Sequence, residues 1–153
     1  MPLRAIVATT VLAAAPLTGI TGSAHATATR SMPPCNSSQT THFSNGWSIK
    51  TPAVFDLNSG AYRCNLKLGD RYSDPEIYNG VLVLQRNLNS CYRTHLVVDG
   101  IYGPKTRDAV RRVQLLHHIN ADGIYGPQTR SAMVWRMANG SLGRVSERCY
   151  SPF

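Results

Sequence analysis

Apolar residues recur at helical spacing in three stretches of the chain. The first stretch places Ile77, Val81, Leu84 and Leu88 on one helical face, since the spacings are four, three and four residues. In front of it, Ser73 and Glu76 stand at the spacing of a capping box. This pattern predicts a first helix that begins near Ser73.

Two further helices are predicted after residue 103. One begins at Pro104 and ends near His117 and His118, and the other begins at Pro127 and ends before Asn139. Their apolar positions are Ala109, Val110, Val113 and Leu116 in the second helix and Ala132, Met133 and Met137 in the third. Proline is well suited to the first helical position because the N–H that it lacks has no helical partner there.

Alternation with a period of two appears ahead of the helices. Trp47 and Ile49 alternate with polar residues, and a similar alternation runs through residues 62–68, with a turn signal at 58–60 between the two stretches. This predicts a small hairpin or extended flap, which should lean on the helices because two strands alone are marginal in water. Residues 139–153 show little periodicity and are predicted to form a tail.

A nine-residue segment occurs twice along the chain. Residues 99–107 recur as residues 122–130, an offset of 23 residues with one difference. Asp-Gly favours a turn and Gly-Pro a helix start, so each copy is interpreted as a loop that leads into a helix. The residues assigned to this structural repeat are Asp99, Gly100, Gly103, Pro104, Asp122, Gly123, Gly126 and Pro127, with Gln85 and Gln114 as amides that tie a loop to a helix.

The N-terminus and the cysteines indicate export. Residues 1–26 combine Arg4, an apolar run and small residues, which predicts a secretory signal peptide cleaved after Ala26 or after Ala28. The four cysteines all lie beyond it and lack the close pairing of a zinc site, so two disulfides are expected. Of the three possible connectivities we favour Cys35 with Cys64 and Cys91 with Cys149.

The chain is basic, with a formal net charge of +8 from 16 Lys and Arg against 8 Asp and Glu. Such a protein is attracted to anionic surfaces, among them cell-wall polymers, nucleic acid and membrane headgroups. No nucleic-acid-binding motif accompanies the charge, so nucleic acid is not the expected partner.

The ordered pattern from Ile77 to Met137 closely resembles the peptidoglycan-binding domain of bacterial cell-wall hydrolases. The residues that carry the resemblance are Val81, Leu84, Gln85 and Leu88, then 98–114 with both Asp-Gly and Gly-Pro steps, then 122–133. The resemblance implies a compact three-helix fold, and the flap and the tail lie outside the family pattern. Taken together, the sequence predicts a mainly α protein, a compact three-helix peptidoglycan-binding-like domain with a small N-terminal β-hairpin or flap and a disulfide-tied C-terminal tail. The family often ends its second helix on Gly or Asn, where a positive φ is needed, and this chain departs from that pattern with His118 at the corresponding place.

Four regions follow from this interpretation. They are a signal peptide over 1–26, a leader with a disulfide-stapled flap over 27–72, the three-helix domain over 73–138 and the tail over 139–153, tied by Cys149.

The candidate ligand-binding residues are two matched pairs in the repeat. Tyr102 and Tyr125 combine a packing ring with a hydroxyl that can meet sugar or peptide, although packing alone explains them too. Arg107 and Arg130 lie just inside the two helix starts, and a guanidinium suits the carboxylates of cell-wall peptides, although a solvated helix face is the alternative.

No catalytic residue, metal or cofactor is expected. Asp99 and Asp122 occupy equivalent turns and are interpreted as acceptors for their own loops rather than as an acid–base pair. The adjacent His117 and His118 point about 100° apart on a helix and lack a zinc-binding frame.

The sequence therefore predicts a secreted, non-catalytic module that binds peptidoglycan or its fragments. We expect a monomer without a membrane anchor, located outside the cell or on the cell wall. Two alternatives remain, a small cell-wall lytic enzyme and a secreted protein-interaction or inhibitory module that reuses the fold.

Overall fold

Three helices occur in the computed structural model, which describes residues 31–54, 62–71 and 79–153, and the third predicted stripe is helical only as far as Ala132. Helix α1 spans Gly80–Tyr92, α2 spans Pro104–Leu116 and α3 spans Pro127–Ala132. The Asn79 side chain caps α1, because its Oδ1 accepts the Leu82 N–H at 3.1 Å. Both later helices begin at the expected prolines, each preceded by a glycine at the N-cap.

Helix α2 ends on a left-handed residue, although this residue is neither Gly nor Asn. His118 adopts a φ of 54°, in the left-handed region. Its N–H donates to the Leu115 carbonyl at 3.1 Å, and the Ile119 N–H donates to the Gln114 carbonyl at 3.0 Å, so the last turn is closed by its own backbone.

Some predictions fall outside the described residues. These are the signal peptide over 1–26, the turn at 58–60, and the capping box of Ser73 and Glu76 with Ile77.

A four-stranded antiparallel sheet accompanies the helices. Strand β1 spans Ser37–His42, β2 spans Ser48–Ala53, β3 spans Trp135–Asn139 and β4 spans Arg144–Tyr150, in the spatial order β1-β2-β3-β4. Two hairpins, one from each side of the helices in sequence, thus share one sheet. They meet at a single register pair between β2 and β3, Ser48 with Ala138.

The expectation of a mainly α fold is wrong, because the sheet is nearly as extensive as the helices. Helix α3 ends at Ala132, and the chain from Trp135 onward is extended rather than helical. Trp135 and Asn139 are buried in β3 while Arg136 between them is exposed, which is the alternation of a strand. The segment expected to be an irregular tail is β4, the partner of β3.

The N-terminal hairpin also differs from the expected one. Its strands are β1 and β2, paired from Ser37 with Ala53 to His42 with Ser48, whereas residues 62–68 were expected to be the partner strand. Within 62–71 only isolated bridges occur, such as Leu66 with Tyr125. Residues 37–42 read Ser-Ser-Gln-Thr-Thr-His, and a strand without apolar residues leaves no alternation to detect.

One hydrophobic core joins the helices to the sheet, since α1 packs against β2 and β3 as well as against α2. Its largest fully buried side chains include Trp135, Tyr102, Tyr125, Ile49, Leu66, Leu84, Leu88 and Met133. In the described part of the chain, no helix is both long and apolar enough to cross a membrane.

Two disulfides are present, with the pairing favoured from the sequence, and one of them joins a helix to the sheet. Cys35 is bonded to Cys64, and Cys91 in the last turn of α1 is bonded to Cys149 in β4. The chain near Cys35 lies so close to the start of α1 that a Cβ on Gly80 would collide with the Cys35 carbonyl oxygen. Glycine therefore suits this position through close approach.

Replacing Cys91 and Cys149 together by serine should lower the free energy of unfolding by about 4 kcal/mol, because the bridge closes a long loop in the unfolded chain. Urea unfolding of the variant and the wild type measures the difference. The matched variant without Cys35 and Cys64, which closes a shorter loop, should lose slightly less. An unchanged urea midpoint in the first variant would show that this bridge contributes no stability.

Candidate functional site

A buried glutamine holds the first repeat loop against the helices. Gln85 Nε2 donates to Asp99 Oδ1 at 2.9 Å, to the Ile101 carbonyl at 3.1 Å and to Thr106 Oγ1 at 3.2 Å. Its Oε1 accepts the Gly100 N–H at 3.0 Å. One side chain from α1 thus reaches both the loop and the first turn of α2.

The second copy has the same geometry. Gln114 Nε2 donates to Asp122 Oδ1 at 2.9 Å, to the Ile124 carbonyl at 3.0 Å and to Thr129 Oγ1 at 3.1 Å. Its Oε1 accepts the Gly123 N–H at 2.8 Å. We call each of these four-bond arrangements a glutamine clasp, and both glutamines make the loop-to-helix contact expected from the sequence.

The two repeat aspartates have their carboxylates engaged inside their own loops. Asp99 Oδ1 accepts the Ile101 N–H at 2.9 Å, and Asp122 Oδ1 accepts the Ile124 N–H at 2.8 Å. Hydrogen bonds from the Gln85 amide and then from the Ile101 N–H hold the pKa of Asp99 below its usual value. These contacts are those of the structural interpretation, in which the aspartates shape loops.

Each repeat loop packs closely against the helix that precedes it, and glycine permits this close approach. Gly100 and Gly123 have φ values of 73° and 74°, in the left-handed region. A Cβ on Gly100 would collide with the Asn79 side chain, and one on Gly123 would lie 2.7 Å from Arg107 Cγ. The first loop is therefore covered by the start of α1 and the second by α2.

Tyr102 and Tyr125 are buried, so neither ring is presented to a ligand in this structure. Their exposed fractions are 0% and 1%. The Tyr102 hydroxyl donates to the Gly123 carbonyl at 2.9 Å, which links the two repeat loops. The Tyr125 hydroxyl has no hydrogen-bond partner among the described residues, and its ring meets Trp135 edge-on at a centroid distance of 6.4 Å. Burial raises the pKa of both phenols.

Arg107 and Arg130 occupy matched sequence positions in different surroundings. Arg107 Nη2 lies 2.8 Å from Asp108 Oδ1, an ion pair with both side chains partly exposed. The Arg130 guanidinium carbon instead lies 3.9 Å from the ring centroid of Tyr62 and 3.6 Å from that of Phe153. Partial burial lowers the pKa of Arg130.

The four ligand-binding candidates therefore do not form one open site. Two are buried, one is paired with a carboxylate, and the guanidinium of the fourth is covered by aromatic rings.

The histidine pair does not form a metal site among the described residues. His117 Nε2 lies 2.8 Å from the Tyr92 hydroxyl, and the described residues include no group of three or more His, Cys, Asp or Glu able to hold a metal ion.

An open recess of about 350 Å³ lies between α1 and the sheet. We call it the sheet–helix cleft, and its lining residues are Thr40, Ser48, Lys50, Val83, Arg86, Asn87, Ser90, Arg136, Met137, Ala138 and Val145. Among the described residues that line it, three are cations and none is a carboxylate. The volume lies within the range of small-ligand sites.

The local strand pairing explains this opening. Strands β2 and β3 pair only at Ser48 and Ala138, and two residues further along the same register Lys50 would stand opposite Arg136. Asn87 fixes α1 beside this gap, since its amide donates to the Val134 carbonyl at 3.0 Å and accepts the Arg136 N–H at 3.2 Å. Helix, β2 and β3 therefore each contribute one cation.

Sequence reasoning missed Lys50, Arg86 and Arg136. They lie far apart in sequence, and only the pairing of the two hairpins brings them to one recess. The related signal in the sequence was the net charge of +8, which does not indicate which basic residues come together in space.

A second recess of about 680 Å³ shares Met137 and Val145 with the cleft, but its charges are mixed, with Glu147 beside two arginines.

Comparison with known proteins finds a family model that matches the segment with the clasps. A family model described as a putative peptidoglycan binding domain matches residues 78–133, which contain both repeat loops and both clasps. The resemblance drawn from the sequence is thereby confirmed for this segment, which is less than half of the chain.

One solved structure is similar in sequence to part of the chain. The crystal structure of the Burkholderia AP3 phage endolysin is 46% identical to this chain over 44% of its length, with a TM-score of 0.37. The match covers 23% of the endolysin, so this chain corresponds to less than a quarter of that protein. No significant match was found among curated proteins.

The two buried phenols should respond differently to the loss of their hydroxyls. Tyr102→Phe leaves the buried Gly123 carbonyl without its donor, which should cost about 1–2 kcal/mol of unfolding free energy. Tyr125→Phe removes a buried hydroxyl that has no partner, so stability should be unchanged or raised. Urea unfolding of both variants provides the comparison. Equal losses in the two variants would contradict the distinction.

The Asp99 carboxylate should make the domain sensitive to acid. Because its folded-state pKa is lowered, its stabilising contribution is present above the unfolded-state value of about 3.9 and is lost as the pH falls through the lower folded-state value. Unfolding free energy measured against pH should therefore fall less steeply over this acid range in Asp99→Asn than in the wild type. Identical slopes in the two proteins would contradict the assignment.

Proposed function

We propose that this chain is a secreted, non-catalytic protein that binds bacterial cell-wall peptidoglycan or its fragments as a monomer. The observation that carries the proposal is the family match over residues 78–133, a segment in which both glutamine clasps are intact. The matched segment is the part of the chain in which two copies of one loop are held in the same geometry.

The remainder of the chain is consistent with a place outside the cell or on its wall. Two disulfides suit an oxidising compartment, and a net charge of +8 favours contact with anionic wall polymers. The absence of catalysis is supported by the state of the repeat carboxylates, because Asp99 and Asp122 each accept hydrogen bonds from a glutamine and from their own loop.

Purified protein should sediment with isolated peptidoglycan sacculi at physiological salt. The control is a basic protein of equal net charge without this domain, which separates specific binding from charge attraction. Recovery of all the protein in the supernatant would contradict the proposed binding. The same samples, assayed for new reducing ends and free amino groups, should show no release above sacculi alone, and release that Asp99→Ala abolishes would contradict the non-catalytic assignment.

A further inference from the structure

The sheet–helix cleft concentrates positive charge, and no carboxylate is among the described residues that line it. Lys50, Arg86 and Arg136 all line it and are exposed. Among the described residues the one ion pair joins Arg107 to Asp108, so none of the three cleft cations is neutralised there by a carboxylate. Like charges held around one recess repel one another, and an anion bound between them removes that repulsion.

The three cleft cations belong to three different secondary-structure elements. Lys50 belongs to β2, Arg86 to α1 and Arg136 to β3, and the Asn87 amide connects the last two elements. Guanidinium groups bind oxyanions in a bidentate manner, and Lys50 adds a point charge from the opposite strand. An extended ligand with more than one anionic group fits this arrangement better than a single small ion.

Apolar side chains line the same recess. Val83 enters from α1, Met137 from β3 and Val145 from β4. A ligand that matches the whole lining therefore carries small apolar groups together with anionic groups. The short peptides of peptidoglycan have this composition, with methyl side chains and free carboxylates, whereas phosphodiester polymers of the wall offer charge without apolar side chains.

We propose that the sheet–helix cleft binds the peptide part of peptidoglycan, with Arg86, Arg136 and Lys50 recognising its carboxylates and Val83, Met137 and Val145 contacting its methyl groups. The assignment rests on the proposed function and adds a location and a ligand class to it. Lys50, Arg136, Met137 and Val145 lie outside the segment 78–133 that matches the family. The two hairpins thus supply most of this specific surface.

The test uses charge-removing variants of the full chain and two soluble probes. The variants are Arg86→Gln, Arg136→Gln and the two combined, with Arg112→Gln on α2 as the matched control, because Arg112 is exposed and does not line the cleft. The probes are a disaccharide–tetrapeptide from peptidoglycan and the same compound with its carboxylates amidated. Titration calorimetry gives the dissociation constants, and thermal unfolding checks that each variant is folded.

Each single substitution in the cleft should weaken binding of the free tetrapeptide probe about 10-fold, the loss of roughly one charge-assisted hydrogen bond. The double variant should lose more, Arg112→Gln should match the wild type, and the amidated probe should bind the wild type as weakly as the free probe binds the double variant. Equal affinity of all proteins for the free probe would overturn the assignment to this cleft.

Sacculi separate this inference from the proposed function. Wild-type protein that fails to sediment with sacculi contradicts both. Sedimentation of the wild type and the folded double variant to the same extent leaves peptidoglycan binding in place and overturns the cleft. Sacculi stripped of phosphate polymers should retain the wild type, and loss of binding to the stripped material would overturn the peptide assignment in favour of the phosphodiester polymer.

Discussion

Two buried glutamine side chains determine how the repeated loops sit on the helices. Each amide group makes four hydrogen bonds, and every partner lies in the loop that follows or in the first turn of the next helix. A buried amide left with unmade bonds is costly, so the loop conformation and the helix position are fixed together. The left-handed glycines at 100 and 123 follow from this constraint, because their N–H groups must point at the amide oxygens.

The repeat also explains the different surroundings of the two arginines. The second loop lies against Arg107, with Gly123 beside its side-chain stem. No third loop follows α3 in the repeat, and the matched Arg130 lies between the rings of Tyr62 and Phe153 instead. These two rings thus cover the guanidinium that no following loop covers.

Local features of this fold could be predicted from the sequence, while the sheet could not. Pro104 and Pro127 mark helix starts through their own backbone restrictions, and the loop glutamines and aspartates act on near neighbours. Strand β3 was misassigned because Met133 and Met137 fit a helical stripe as well as Trp135 and Met137 fit a strand, and the partner that decides between them is β4.

The candidate site, too, was predictable only in its local features. The sequence identified the family segment and its loops, whereas the cleft depends on a strand pairing between Ser48 and Ala138 that no local pattern records. Tyr102 and Tyr125 stood out because they repeat, and repetition here reflects packing, since both rings are buried in the core.

The meeting of the two hairpins has a kinetic consequence. The Ser48 side chain bonds the Ala138 carbonyl across 90 residues of chain, whereas Gln114 reaches its partners within 8 to 15 residues. Closing a long loop costs more entropy than closing a short one, and contacts distant in sequence slow folding. The helices and clasps can therefore assemble before the sheet closes, whereas the cleft is complete only once β2 and β3 have paired.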